Sequence, residues 1–314
     1  MSDTPLTTPA VLVLGGGGIL GEAWMSSLLS GLDEGAEFDA RRARQYLGTS
    51  AGSIVAASLV AGLAPGSRLG HLPRAPTVEA QATSPASLGN RARGAASEAG
   101  RSAIAPLAAL ALSSSAAGGA ALRRTALARI PTGRRSLGEL GREIERVGVE
   151  FDGRLRVAVV AVETGRRHIV GAPGGLRMSV SQAVQASCAI PGVFRPVLFG
   201  GNSYVDGGAW SPTNMDAAEA TRGDLVICLN PTGAFRPTLS QPASGLGPIS
   251  RAAASAEALA LKRRGARVAT IAPDRASAAA MGTTLMDAAP RRTVIEAGLA
   301  QGRRLASRSH LRAA

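Results

Sequence analysis

Twice in its first 63 residues the chain gives the same signals in the same order: a short apolar run, a glycine cluster, a helically spaced segment. Val11–Leu14 reads as a buried strand, Gly15–Gly21 as a glycine loop, and Glu22–Leu32 as a helix. Gln45–Leu47 then reads as a strand, Gly48–Gly52 as a second turn, and Ser53–Leu63 as a helix. Strand, tight turn and helix in succession begin an α/β fold around a mostly parallel sheet.

Further along, Leu155–Glu163 is a strand pattern followed by a turn at Glu163–Arg167. Ser179–Ser187 has helical spacing, and Leu198–Val205 reads as a hairpin around Gly200-Gly201. Leu225–Leu229 and Val268–Ile271 are strands, 231–249 a Pro/Ser/Gly loop, and Val294–Leu305 a terminal helix. The expected organisation is a main domain over 10–230, with 231–314 a C-terminal α/β extension packed on it.

Residues 65–135 differ in composition, being rich in Ala, Ser, Gly, Pro and Arg. Ten arginines there (68, 74, 91, 93, 101, 123, 124, 129, 134, 135) face Glu79 and Glu98, so this stretch carries +8 of the chain's net +13. It reads as a variable, basic, partly helical insertion, extending to about 150, that caps a site or forms a solvated loop. Lys262 is the sole lysine, so the basic residues are almost all arginine, as codon bias in a GC-rich genome produces. Aromatic residues are 3% of the chain, too few for stacking single-stranded bases, and no motif specifies nucleic acid.

Several classes of chemistry lack their residues. One lysine after Leu261 excludes a G-K-[ST] phosphate loop, and His71, His168 and His310 are too far apart for a zinc helix. No metal or cofactor is expected. Cys188 and Cys228 make no disulfide scaffold, and no run is long enough to span a membrane. The expected location is the cytoplasm, with peripheral contact to an anionic membrane; the sequence is silent on oligomeric state.

Two glycine clusters carry candidate chemistry. Gly16-Gly17-Gly18-Ile19-Leu20-Gly21 fits G-x-G-x-x-G after a strand, with Glu37 or Asp39 about 20 residues on, as a dinucleotide site would. The same loop offers backbone N–H groups at a helix N-terminus to any anion, an acyl-transfer oxyanion included. Gly48-Thr49-Ser50-Ala51-Gly52 is the only G-x-S-x-G, in the strand-to-helix setting of a nucleophile elbow, which makes Ser50 a candidate nucleophile over a helix-capping serine. Its base is not a histidine on this reading: His310 is in the tail, His71 in the insertion, His168 at a hairpin. Asp206, in Tyr204-Val205-Asp206-Gly207-Gly208, is the best carboxylate, although an aspartate before two glycines is also an ordinary turn former.

Gly16–Gly21, Gly48–Gly52 and Asp206–Gly208, in that order, resemble the patatin-like phospholipase family. Ala186–Phe194 (ASCAIPGVF) resembles its A-S-x-A-I-P-x-x-F segment, and Tyr204–Asn214 its D-G-G region. The resemblance covers 10–63 and 155–230. It implies a three-layer α/β fold, a lipid ester substrate, and hydrolysis by a Ser50–Asp206 dyad without metal. The amides of Gly16, Gly17 and Gly18 would hold the oxyanion, with Gly21, Gly48, Gly52, Gly207 and Gly208 as motif positions. Leu20 stands where many members have a basic residue, a departure that bears on phospholipid preference.

Overall fold

The computed structural model describes residues 7–34, 38–70, 119–234 and 246–313. His71, the run Ile104–Leu112 and Glu37 lie outside the described residues, as does the side chain of His310.

The two N-terminal units form as their patterns predict. β1 (Val11–Leu14) leads to α1 (Gly18–Asp33), and β2 (Gln45–Gly48) to α2 (Ala51–Val60). Both helices begin earlier than their apolar spacing indicates, because the glycines themselves enter the first turn. From the insertion stretch come a 3-10 turn, Pro65–Arg68, and α3 (Gly119–Arg129), followed by α4 (Gly138–Val147). β3 (Leu155–Ala161) and β4 (Arg167–Val170) form a hairpin; α5 (Val180–Cys188), β5 (Val197–Phe199) and β6 (Asn202–Asp206) follow. β7 (Leu225–Leu229), α6 (Leu246–Arg263), β8 (Arg267–Ile271), α7 (Arg275–Met281) and α8 (Arg291–Ala313) complete the order.

Among the described residues the sheet has eight strands, connected as β5-β6-β3-β2-β1-β7-β8 with β4 also on β3. The β1–β2, β1–β7, β2–β3 and β7–β8 pairs are parallel, and β6 meets β3 antiparallel. Alternation along the strands builds two cores. Leu12, Leu14, Tyr46, Val157 and Ile227 face α1, α2 and α5. Val11, Val13, Leu47, Val226 and Cys228 face Met215, Ala254 and Leu261 on the other side. The result is the expected three-layer α/β arrangement. α8 lies along α1, where the Trp24 indole N–H donates to Gln301 Oε1 at 3.0 Å.

Two arginines of the basic stretch are interior rather than solvated. Arg68, 7% exposed, donates to Glu22 at 2.6 Å and to Glu143 at 3.1 Å. Arg123, fully buried, lies 4.1 Å over the Trp210 ring and donates to the carbonyls of Ala209 and Gly165. Burial, then the nearby Arg167, pulls its guanidinium down to about 10. These two side chains tie the ends of the basic stretch to α1 and to the Asp206 turn.

Candidate active site

β2 ends at Gly48, whose partner on β3 is Val157; β6 ends at Asp206, whose partner on β3 is Val159. β3 therefore continues past the end of β2 and supplies the rungs on which β6 is laid. This register sets Asp206 beside the turn that follows β2.

At that turn Ser50 adopts φ 51° and ψ −124°, in the left-handed region that costs a non-glycine residue about 1–3 kcal/mol. The turn is held closed from several sides. Thr49 N–H donates to the Leu14 carbonyl at 2.9 Å, and Ser53 N–H to the Ser50 carbonyl at 2.8 Å. Ser50 N–H donates to Ser187 Oγ at 2.8 Å, and that hydroxyl donates to the Ala158 carbonyl at 2.8 Å. Gly52 is a close-approach glycine: a Cβ there would collide with the Leu14 carbonyl oxygen.

Ser50 is 8% exposed and Asp206 2%. Ser50 and Asp206 line the same cleft, and Asp206 Oδ1 accepts Gly208 N–H at 2.7 Å. Burial pushes its carboxyl up to about 7, against the lowering effect of that bond and of the neighbouring Ser50 side chain. Asp206 N–H donates to the Ala189 carbonyl at 3.0 Å, so the segment Ser187–Ala189 bonds both Ser50 and Asp206. That segment belongs to the A-S-C-A-I-P stretch; its role as the splint between the two motifs depends on contacts that the sequence does not disclose. Gly207 packs against the Ala158 carbonyl with no room for a Cβ.

The glycine loop lies beside Ser50, with one change from expectation. Gly16 N–H is already donated to the Pro212 carbonyl at 2.8 Å and is not open to an oxyanion. Leu20 N–H is likewise donated to the Leu285 carbonyl at 3.0 Å, and Gly21 N–H to the Gly17 carbonyl at 2.8 Å. Among the described residues, Gly17 and Gly18 N–H have no acceptor. They stand at the N-terminus of α1, where the backbone dipoles favour negative charge.

Two clefts meet at Ser50. One, about 800 Å³ with its open mouth, is walled by Ile19, Ile54, Leu137, Leu140, Ile190 and Phe194, and carries Glu22, Glu139 and Glu143 on its polar side. The other, about 590 Å³ counted the same way, lies over Gly17 and Asp206 and is closed by Pro212, Leu285 and Met286.

His168 on β4 takes no part in this geometry and packs edge-on to Tyr204 at 5.8 Å. Cys188 lines the first cleft as a buried free thiol, its pKa raised by burial. Asp39, one of the two acids a dinucleotide site would use, caps the Ala40–Arg42 turn and pairs with Arg41 at 3.0 Å. Among the described residues, no cluster of three His, Cys, Asp or Glu side chains is disposed to hold a metal ion. Nor is any described helix long and apolar enough to cross a membrane.

Sheet and layers together define a three-layer α/β protein. Residues 12–219 match the sequence profile described as Patatin-like phospholipase, and the chain belongs to that family. Membership implies a lipid acyl hydrolase. Among solved structures, VipD from Legionella pneumophila is similar, with 17% identity and a TM-score of 0.46, over 97% of this chain and 68% of that one. No curated protein matches the chain.

Proposed function

We propose that the protein hydrolyses carboxylic esters of fatty acids in lipids, with Ser50 as nucleophile and Asp206 as general base. The observation that carries this reading is the buried carboxylate beside a serine side chain on a strained strand-to-helix turn. Ser50 Oγ attacks the acyl carbonyl as its proton passes to Asp206; the proton then goes to the departing alcohol. Water repeats the exchange on the acyl-enzyme, freeing the acid and restoring Ser50. A carboxyl titrating near neutrality is better matched to this work than an ordinary aspartate. The open N–H groups of Gly17 and Gly18 supply the oxyanion donors, with Gly16 holding the loop to Pro212. The larger apolar cleft suits the acyl chain and the smaller one the leaving alcohol.

An anionic lipid surface is the partner that the charge favours. Arg129, Arg134 and Arg195 are exposed beside the segments that contribute Ser136, Leu137 and Phe194 to the larger cleft. Leu122 and Leu198 are exposed at 65% and 76%.

Intact-mass analysis after a fluorophosphonate probe tests the assignment. One adduct on the wild type, absent from Ser50→Ala, is the expected result. An adduct that persists in Ser50→Ala, or none on the folded wild type, would remove Ser50 as nucleophile.

A further inference from the structure

The loop Ser211–Met215, just after the Asp206 turn, touches all three motif segments at once. The Pro212 carbonyl accepts Gly16 N–H at 2.8 Å. Asn214, at φ 51°, donates through its side-chain amide to Thr49 Oγ1 at 3.0 Å and to the Gly207 carbonyl at 3.2 Å. Its Oδ1 accepts from Arg167 at 3.2 Å. Glycine loop, serine turn and aspartate turn are thus all fastened to five consecutive residues.

That loop is held from behind by one side chain. Glu257, in the middle of α6, accepts Met215 N–H on Oε2 at 2.8 Å, and the same oxygen accepts the Thr213 hydroxyl. Two donors from alternate residues of one loop, Thr213 and Met215, converge on one carboxylate oxygen. Glu257 lies beyond residues 12–219, in the C-terminal segment that the family match does not reach.

We propose that Glu257 is a positioning residue for the ester hydrolysis described above: it fixes Ser211–Met215, and through Pro212 and Asn214 it keeps the glycine loop, Ser50 and Asp206 in their working arrangement. It touches neither substrate nor the reacting atoms. Its removal leaves the two donors without their acceptor, so the loop relaxes and the Gly16 and Thr49 contacts loosen. A small misplacement of reacting groups lowers the chemical step more than substrate binding.

The test compares Glu257→Ala, Glu257→Gln and Leu261→Val with the wild type. Leu261 is buried one turn along the same helix, in the apolar cluster that contains Met215, so its variant loosens packing and keeps the carboxylate. For Glu257→Ala we expect kcat on a soluble short-chain ester to fall by about tenfold or more, with KM within about twofold. Glu257→Gln, which keeps an acceptor oxygen, should recover most of the loss. Hydrogen exchange at the Gly16 amide should speed up in Glu257→Ala and not in Leu261→Val. Wild-type kcat and Gly16 protection in Glu257→Ala would overturn the proposal, as would equal losses in Leu261→Val. The proposal rests on the hydrolase reading, and the exchange measurement separates the two failures. A wild type silent towards probe and esters overturns the hydrolase role; unchanged Gly16 exchange overturns the hold of Glu257 on the loop.

Discussion

The Ser187 hydroxyl accepts the Ser50 N–H at 2.8 Å and donates to the Ala158 carbonyl at 2.8 Å, joining α5, the strained turn and β3 in one chain of bonds. Ser187 is fully buried. Ser187→Ala should cost about 1–3 kcal/mol of stability through the two orphaned backbone groups. The turn should relax as well, so fluorophosphonate labelling of Ser50 should slow by about tenfold or more. Denaturant midpoints and labelling rates measure both; a wild-type labelling rate would detach Ser187 from the function of the turn.

The Asp206 carboxyl, pushed up to about 7 by burial, predicts a rate that rises with pH through neutrality, because only the carboxylate accepts the Ser50 proton. The sign for stability is the opposite. The folded state holds this proton more tightly than the unfolded chain, so stability is full below the ordinary aspartate range and falls as pH rises through about 7. Glu257, also pushed up to about 7 by burial with Asp216 adding to it, contributes in the same direction. Asp206→Asn should abolish turnover yet raise stability at pH 8, by on the order of 4 kcal/mol at most. A thermal melt at pH 5 and pH 8 checks this; no gain at pH 8 would argue against a carboxyl raised by burial in the fold.

Arg68 and Glu22 form a pair with side chains 9% and 4% exposed, and Arg68 also reaches Glu143. Burial lowers the Arg68 pKa, but the two carboxylates more than offset it, leaving the guanidinium above its ordinary value. Arg68→Met should destabilise by roughly 3–5 kcal/mol, since it leaves Glu22 buried and uncompensated. The double variant Arg68→Met/Glu22→Gln should regain most of that loss. Equal midpoints for the single and double variants would deny the coupling.

The exposed arginines near the larger cleft predict a dependence on the lipid surface. Arg129→Glu, Arg134→Glu and Arg195→Glu should each weaken binding to anionic vesicles by about fivefold, roughly 1 kcal/mol per basic residue near the surface. Turnover of a soluble short-chain ester should be unchanged. Sedimentation with anionic and neutral vesicles decides the matter, with Arg292→Glu on the exposed side of α8 as the charge-matched control.

Strand–glycine–helix units were legible because each apolar run stops at glycines, and β1, β7 and both hairpins lie where that pattern sets them. α4 was not, because Gly138 and Gly141 interrupt it and only Leu140 and Ile144 mark its inner face. α6 begins at Leu246, inside what reads as a Pro/Ser/Gly loop, since a proline in the first helical turn is compatible with the helix. Within the site, Ser50 and Asp206 were visible through their flanking glycines. The contacts made by Ser187, Asn214 and Glu257 were not: the partners lie 137, 165 and 42 residues away in the chain at the nearest motif or loop contact, although Ser187 and Asn214 fall in segments the resemblance marks. The open and closed amides of the glycine loop could not be told apart either, because Gly16 is closed by Pro212, far along the chain.

The pairing of Asp206 with Val159, two positions beyond the Val157 that meets Gly48, makes residue count in the β5–β6 hairpin a functional quantity. Adding or removing one residue between Asn202 and Asp206 would exchange the two faces of β6, turning Val205 towards Ser50 and Asp206 away from it. The stretch between Arg68 and Gly119 enters no part of that count, since β2 pairs with β3 directly. Among sequences sharing this fold, length should therefore drift freely between the two buried arginines and stay invariant from Asn202 to Asp206.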